Sequence, residues 1–360
     1  MRTWIAVAVM SALSACVATA WAAGPYSPAS GAIDAGIAGF VGPAGDGVLD
    51  AANHVNPVFT AWADGYSSYL PAGQVDEQWR TASRALGPVS GDEIDGVVSL
   101  GDLDAAQIAA GRQSGRITLS FSQTIGNGPG ADLAVFENGY YYSGGFFAEL
   151  AYVEVSSDGE HFARMPSVSL TGGTVGPYGT IDATNVYNLA GKHANAYGLS
   201  WGTPLDLASL AGDPLVAAGL VDTMHVAYVR LVDIPGSGAF LDSRGHGIFD
   251  AWVTWGSGGF DLDAVGAIHG SPSPGDANND GVVNVGDLGI LAVNWGRSGT
   301  PRWDQGNFNA DTVINVGDLG ILALHWGGGG QGAAPLPEPA TLMLLTLAAA
   351  GMIRRRWRRN

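Results

Sequence analysis

The sequence predicts a mainly β protein, an antiparallel β-sandwich or jelly-roll head followed by a small α-helical module. Three observations carry this. Stretches between residues 24 and 270 alternate apolar and polar residues at the period of a strand. Helical periodicity is scarce there, and no regular βαβ alternation appears. Beyond residue 274 the apolar spacing changes to three and four residues, and it does so twice in nearly the same sequence.

Residues 1–23 open with Arg2, continue through an apolar run from Trp4 to Met10 and end in Ala20-Trp21-Ala22-Ala23. They predict a secretory signal peptide cut near Ala22 or Ala23. Leu13-Ser14-Ala15-Cys16 resembles a bacterial lipobox, but the sequence after it stays apolar where lipoproteins turn polar. Cys16 is the sole cysteine, so the processed chain would have no disulfide, thiol nucleophile or cysteine zinc site.

Residues 24–270 form the predicted head. Strands are expected at Arg116–Ser122, Leu150–Ser156 and Val226–Ile234, and one short helix at Asp102–Ala110. Val153 to Phe162 reads as a strand, a tight Asp158-Gly159 turn and a return strand. With Tyr228-Val-Arg-Leu231, this stretch resembles discoidin or galactose-binding-like jelly rolls. The runs at 134–139, 147–159, 185–193 and 256–268 resemble a group of secreted bacterial cell-surface proteins, which implies location more than activity.

Several head residues invite chemistry. Asp242, Asp250, Asp261 and Asp263 read as solvated turns and strand ends, with structural calcium as the alternative. Glu137, Glu149 and Glu154 would suit glycoside hydrolysis only if two lay across one cleft. Gly198-Leu199-Ser200-Trp201-Gly202 matches a nucleophile elbow in letters but lacks the preceding strand and following helix. The histidines form no zinc-protease pair. Lys192 and His193 read as surface residues, with a binding role as the alternative, and Tyr140, Tyr141 and Tyr142 as either sugar-stacking rings or a strand edge or core.

After a Ser-Pro linker at 271–274, residues 275–327 repeat a loop and a helix. In the first copy, oxygen-bearing groups fall at loop positions one, three, five, seven, nine and twelve: Asp276, Asn278, Asp280, the Val282 carbonyl, Asn284 and Asp287. Gly281 supplies the turn at position six. This is the spacing that wraps Ca2+ in six to eight oxygens. The second copy offers Asn307, Asn309, Asp311, Val313, Asn315 and Asp318. It has fewer carboxylates, and Thr312 stands where the turn glycine belongs, which predicts strain at positive φ and a weaker site. Each helix is expected to bury one apolar stripe, Val285, Leu288, Leu291, Ala292 and Trp295 in the first, and Val316, Leu319, Leu322, Ala323 and Trp326 in the second.

No helix is expected ahead of either loop, and the pair resembles a type I dockerin. That resemblance implies two calcium sites, a cohesin-like partner, and recognition through Val285-Gly286 and Val316-Gly317. Either helix would then dock in the same way.

A Gly-rich spacer (328–336) leads to residues 337–360. These contain Pro337-Glu338-Pro339, a mostly apolar run from Ala340 to Ile353, and the arginines 354, 355, 356, 358 and 359. As a helix the run would reach about 21 Å, short of the roughly 30 Å hydrocarbon core, but the arginines can snorkel. The three parts resemble the PEP-CTERM sorting signal. It implies exosortase-type machinery, a membrane contact through the tail, and export to the envelope, surface or extracellular matrix of a Gram-negative bacterium.

Formal net charge is −17, and removing both ends would make it more negative, which disfavours nucleic acid as a partner. The sequence thus reads as a non-enzymatic surface or matrix protein with a calcium-stabilised interaction module. A carbohydrate-binding head, with polysaccharide as candidate ligand, and an extracellular polysaccharide hydrolase are the alternatives.

Overall fold

The computed structural model describes residues 24–26, 34–41, 54–90, 96–299, 301–309 and 311–327. The expected signal peptide, the Gly-rich spacer and the sorting tail lie outside the described residues. Two antiparallel sheets organise the head. One runs Ile37–Ala38, Trp201–Leu205, Leu133–Glu137, Asp261–Ala267 and Ala61–Trp62, with Val98–Ser99 also paired to Asp261–Ala267. The other runs Ala163–Arg164, Ala151–Ser156, Val226–Asp233, Arg116–Ile125 and Gly65–Leu70.

One apolar cluster draws on both sheets. Ile117, Leu119 and Phe121 meet Val153 and Val155, Val229 and Leu231, and then Val135, Leu262 and Val265. Each fully buried side chain of this size contributes about 1.5–3 kcal/mol, and a one-residue slip would turn all of them outward, so burial fixes the register.

Three strands, Leu133–Glu137, Ala151–Ser156 and Asp261–Ala267, are buried along their whole length. A second apolar layer built on Phe146, Leu150, Ile181, Leu189 and Ile248 covers part of the outer face. Glu154 and Ser156, which the alternation would put in water, are buried as well. Glu154 is held by Arg164 at 2.7 Å and Arg230 at 2.6 Å.

The expected strands recur as Arg116–Ile125, Ala151–Ser156 and Val226–Asp233. The helix is shorter than expected, Ala105–Ala109, because Asp104 caps it by accepting from Gln107 N. The Asp158-Gly159 hairpin is looser than a two-residue turn. Its return strand is Ala163–Arg164, and the Asp158 carboxylate takes the Glu160 and His161 amides, which closes a wider loop.

Lys192 and His193 are not surface residues. Lys192, the only lysine of the chain, is buried against the Asp34 carboxylate and the Val186 carbonyl. His193 is buried beside Thr203, and burial pushes its pKa down to about 3.

The helical module has a pseudo-twofold. Helices Val285–Val293 and Val316–Leu324 begin at Asn284 and Asn315, with φ −147° and −148°, and both carry capping boxes closed by Asp287 and Asp318. Gly275 and Gly306 share φ +97°, and each lies flat against the other copy's helix. A Cβ on Gly275 would stand 2.9 Å from Leu322 Cα, and one on Gly306 would stand 2.8 Å from Leu291 Cα. Ala277, Val283 and Leu291 pack with Phe308, Ile314 and Leu322 between the halves.

The helices bury a narrower face than expected. Asp287 and Leu291, and likewise Asp318 and Leu322, make the buried line. Val285 and Val316 are each 72% exposed, and Ala292, Ala323 and Trp295 are exposed as well. The cause is the N3 aspartate, which must turn into its loop and carries Leu291, one turn on, inward with it. Val285, two residues before Asp287, is thereby turned away from the core.

The start of the linker is tied to the head. Ser271 N donates to Thr124 O at 2.8 Å, and Asn279 Nδ2 to Gly270 O at 2.9 Å. The Trp303 and His225 rings meet edge to face at 5.8 Å.

Candidate functional site

Two regions gather unusual numbers of oxygen donors. In the first loop Asp276 is buried, and its carboxylate accepts from Asp280 N at 3.2 Å and Gly281 N at 3.0 Å. Asn278 bridges to Asp280, and Asn284 Oδ1 caps Gly286 N. The Asn284 amide reaches the Val282 carbonyl at 3.0 Å. Asp287 spans the loop, accepting from Ala277 N and Asn284 N, both at 2.8 Å. Burial, then the neighbouring Asp287 and Asp280, raises the pKa of Asp276. A cation among these oxygens would relieve that repulsion.

The second loop repeats most of this. Asn309 bridges to Asp311, Asn315 reaches the Val313 carbonyl and caps Gly317 N, and Asp318 spans Phe308 N and Asn315 N. It departs at position one, where Asn307 Nδ2 donates to the Asp311 and Pro301 carbonyls and leaves its buried Oδ1 without a partner. The strain expected at Thr312 is overturned. At position six Gly281 takes the left-handed turn, at φ +85°, with Asn279 also left-handed at φ 49°, whereas Thr312 does not adopt positive φ. Its carbonyl instead accepts from Gly299 N, which extends the second loop against residues 298–299.

The donors in both loops are oxygens, the hard set that Ca2+ takes. Among the described residues no group of three or more His, Cys, Asp or Glu side chains is arranged to hold a metal. An ion in either loop would therefore have to draw on amide and backbone oxygens beside the carboxylates. In the first loop those would be Asn278, Asn284 and the Val282 carbonyl, and Asn307 Oδ1 is an open acceptor in the second.

The other region is in the head. Asp102, Glu137, Glu149, Asp233, Asp250 and Asp261 are all buried and are linked by mutual repulsion. Glu149 accepts from Thr254 Oγ1 at 2.5 Å and Gly259 N at 3.0 Å, Asp233 from Phe260 N, and Asp250 from Leu150 N. Burial raises Asp102 and Asp261 to about 7 and holds the other four well above the usual carboxylate range. One oxygen each of Asp102, Glu137, Asp233, Asp250 and Asp261 has no hydrogen-bond partner.

Asp261 and Glu149 floor a cavity of about 190 Å3. Its walls are aromatic. Tyr140 stacks on Phe147 at 5.1 Å and meets Tyr197 edge-on at 5.0 Å, while Tyr178 meets Trp255 edge-on at 5.5 Å. Tyr197 reaches the rim from a left-handed backbone, φ 54°, a conformation that costs on the order of 1–2 kcal/mol.

Neither region carries the chain's address, which lies in the Pro-Glu-Pro segment, the apolar run and the arginines. Residues 335–359 match the PEP-CTERM protein-sorting motif. The PEP-CTERM segment implies an exported protein sorted to the Gram-negative cell envelope by exosortase-type machinery. Among the described residues no helix is long and apolar enough to cross a membrane, and the PEP-CTERM segment lies beyond them. No curated protein matches the chain.

The other expected site residues are dispersed. Asp242 caps its own turn through Arg244 N and His246 N, and Asp263 binds Ser90 and Asn195, so only Asp250 and Asp261 of that quartet join the buried cluster. None of the four is solvated as expected, because each is buried, Asp242 and Asp263 included. Glu137 and Glu149 come together, while Glu154 is held apart by its arginines. Ser200 is buried, and its strand, Trp201–Leu205, follows it where an elbow needs a helix. Tyr140–Tyr142 form a strand paired with Gly145–Phe147, yet Tyr141 and Tyr142 remain exposed. Sequence reading missed Asp102, Asp233, Tyr178, Tyr197 and Trp255, which come from four separate loops and the end of the strand Val226–Asp233, with no shared spacing.

Proposed function

We propose that this is a non-enzymatic envelope or matrix protein. Its β-sandwich head is displayed on a calcium-stabilised, dockerin-like module that docks a cohesin-like partner. The observation that carries the reading is the near-twofold relation of the loop–helix halves, with Gly275 and Gly306 each against the other's helix. Symmetric halves leave Val285 and Val316 equally exposed, so the same face is offered twice.

Calcium would be held by Asp276, Asn278, Asp280, Val282, Asn284 and Asp287, and more weakly by Asn307, Asn309, Asp311, Val313, Asn315 and Asp318. The non-enzymatic reading draws support from Glu137, which is 1% exposed and holds Gly139 N, a poor position for a glycosidase acid.

The test uses the full-length chain and an immobilised type I cohesin domain. Calcium-dependent capture should survive Val285→Asp or Val316→Asp singly and disappear in the double variant. Capture indifferent to both changes, or to calcium chelation, would sink the proposal.

A further inference from the structure

We propose that the aromatic cavity of the head, floored by Asp261 and Glu149 and walled by Tyr140, Tyr197, Tyr178 and Trp255, is a binding site for an organic ammonium group. The inference is independent of the calcium loops.

The floor offers charge without a counter-charge. No Lys, Arg or His lines the cavity. Asp261, 1% exposed, has Oδ1 without a hydrogen-bond partner, and the groups that reach its carboxyl are neutral: Asn138 Nδ2 at 3.5 Å from Oδ2, and the Ser257 and Ser99 hydroxyls. Glu137, Glu149, Asp102, Asp233 and Asp250 surround it and repel its charge wherever they are ionised, and Tyr69, Tyr140, Tyr178 and Tyr197 are the other titratable groups around it. Such a floor needs an incoming cation, because an unpaired buried carboxylate otherwise takes up a proton.

The walls choose which cation. Two ring pairs stand nearly perpendicular, at 82° and 83°. Tyr178, Tyr197 and Trp255 are each more than 60% exposed, although large apolar rings favour burial. Aromatic faces attract cations that carry an apolar shell. A bare divalent ion gains nothing from the rings, and no three carboxylates among the described residues are placed to share one. A neutral sugar could stack on the rings but would leave the floor's charge uncompensated. The volume is below the roughly 300 Å3 where pockets for drug-sized ligands begin, which suits a single small head group. Ammonium chemistry has two sources, a free small molecule or a lysyl side chain of another protein. A second copy of this chain is excluded as donor, because its only lysine is buried.

Calorimetric titration of the full-length chain, with calcium held constant, would use choline and Nα-acetyl-lysine amide as probes, with glucose as comparator. At least one ammonium probe should bind, and the tighter of the two names the source. Trp255→Ala and Tyr197→Ala, at exposed positions that leave the fold intact, should each weaken binding about tenfold, with Trp255→Phe retaining most of it. Affinity should fall by up to about tenfold per unit as pH drops below 7, because the cation competes with a proton on the floor. Failure of both ammonium probes would overturn the proposal. So would glucose binding of pH-independent affinity, or ammonium binding unmoved by both aromatic substitutions.

Discussion

The chain concentrates carboxylates in two ways. In the paired loops, Asp276, Asp280 and Asp287 arrive within twelve residues, and each is met by backbone amides of its own turn. In the head, Asp102, Glu137, Asp233 and Asp261 come from four separated segments, and each keeps an oxygen that nothing meets. The difference teaches that spacing marks a site only when one local turn builds it. A site assembled by the tertiary fold leaves its mark instead in burial and in unmatched charge.

The largest expected effect separates the two regions by pH. Asp102 and Asp261, both near 7 when folded, bind protons more tightly in the folded chain than in the unfolded one. Their contribution is complete below about pH 4 and is lost as pH rises through about 7. Asp222, which is exposed, and Asp242, which is buried, are lowered by their histidine and backbone hydrogen bonds in spite of partial desolvation, and they act in the opposite sense below about pH 4. Thermal melts between pH 4 and pH 8 should therefore show the head weakening toward pH 8, with Asp261→Asn flattening the curve. A melting temperature that rises across that range would break the comparison.

Next comes the seam between the loop halves. Gly306→Ala places a methyl against Leu291 Cα at positive φ, at a cost on the order of 3 kcal/mol. Hydrogen exchange should show the module opening while the amides of Ala151–Ser156 stay protected. Loss of protection in both regions would mean that they unfold as one unit.

Smaller again is the calcium difference between copies. Calcium titration should resolve two unequal sites, and Asp280→Ala should weaken the tighter one by at least about tenfold while sparing the other. Two equal affinities would erase the distinction drawn at Asn307. The smallest effect is expected at Val285→Asp. At 72% exposure it should change stability by less than about 0.5 kcal/mol, as read by denaturant melts.

The antiparallel β character of the head, its longest strands and the loop–helix duplication were all legible in the sequence, because each repeats a local period. Of the three covered strands Ala151–Ser156 was legible too, and Leu133–Glu137 and Asp261–Ala267 were less so. Asp261–Ala267 is buried on both faces and does not alternate, and its pairing slips between Leu262 and Ala264, beside Asp263. Lys192 misled, since a lone cation in a Gly-rich stretch says nothing of the distant Asp34 that holds it. The aromatic cavity was hidden for the same reason: Tyr140, Tyr197 and Trp255 lie far apart in sequence, and only the fold closes the distance.

The join between head and module has a mechanical consequence. Asp261–Ala267 lies between Leu133–Glu137 on one side and both Ala61–Trp62 and Val98–Ser99 on the other, and it leads directly into the first loop. A pull applied from the module's C-terminal side would thus load the hydrogen bonds of an interior strand in shear, all together, instead of peeling them one by one. Ser271 on Thr124 and Trp303 against His225 would take the first share of that force. A protein held at a surface while its head is tugged by flow or by a partner would resist best through such a connection.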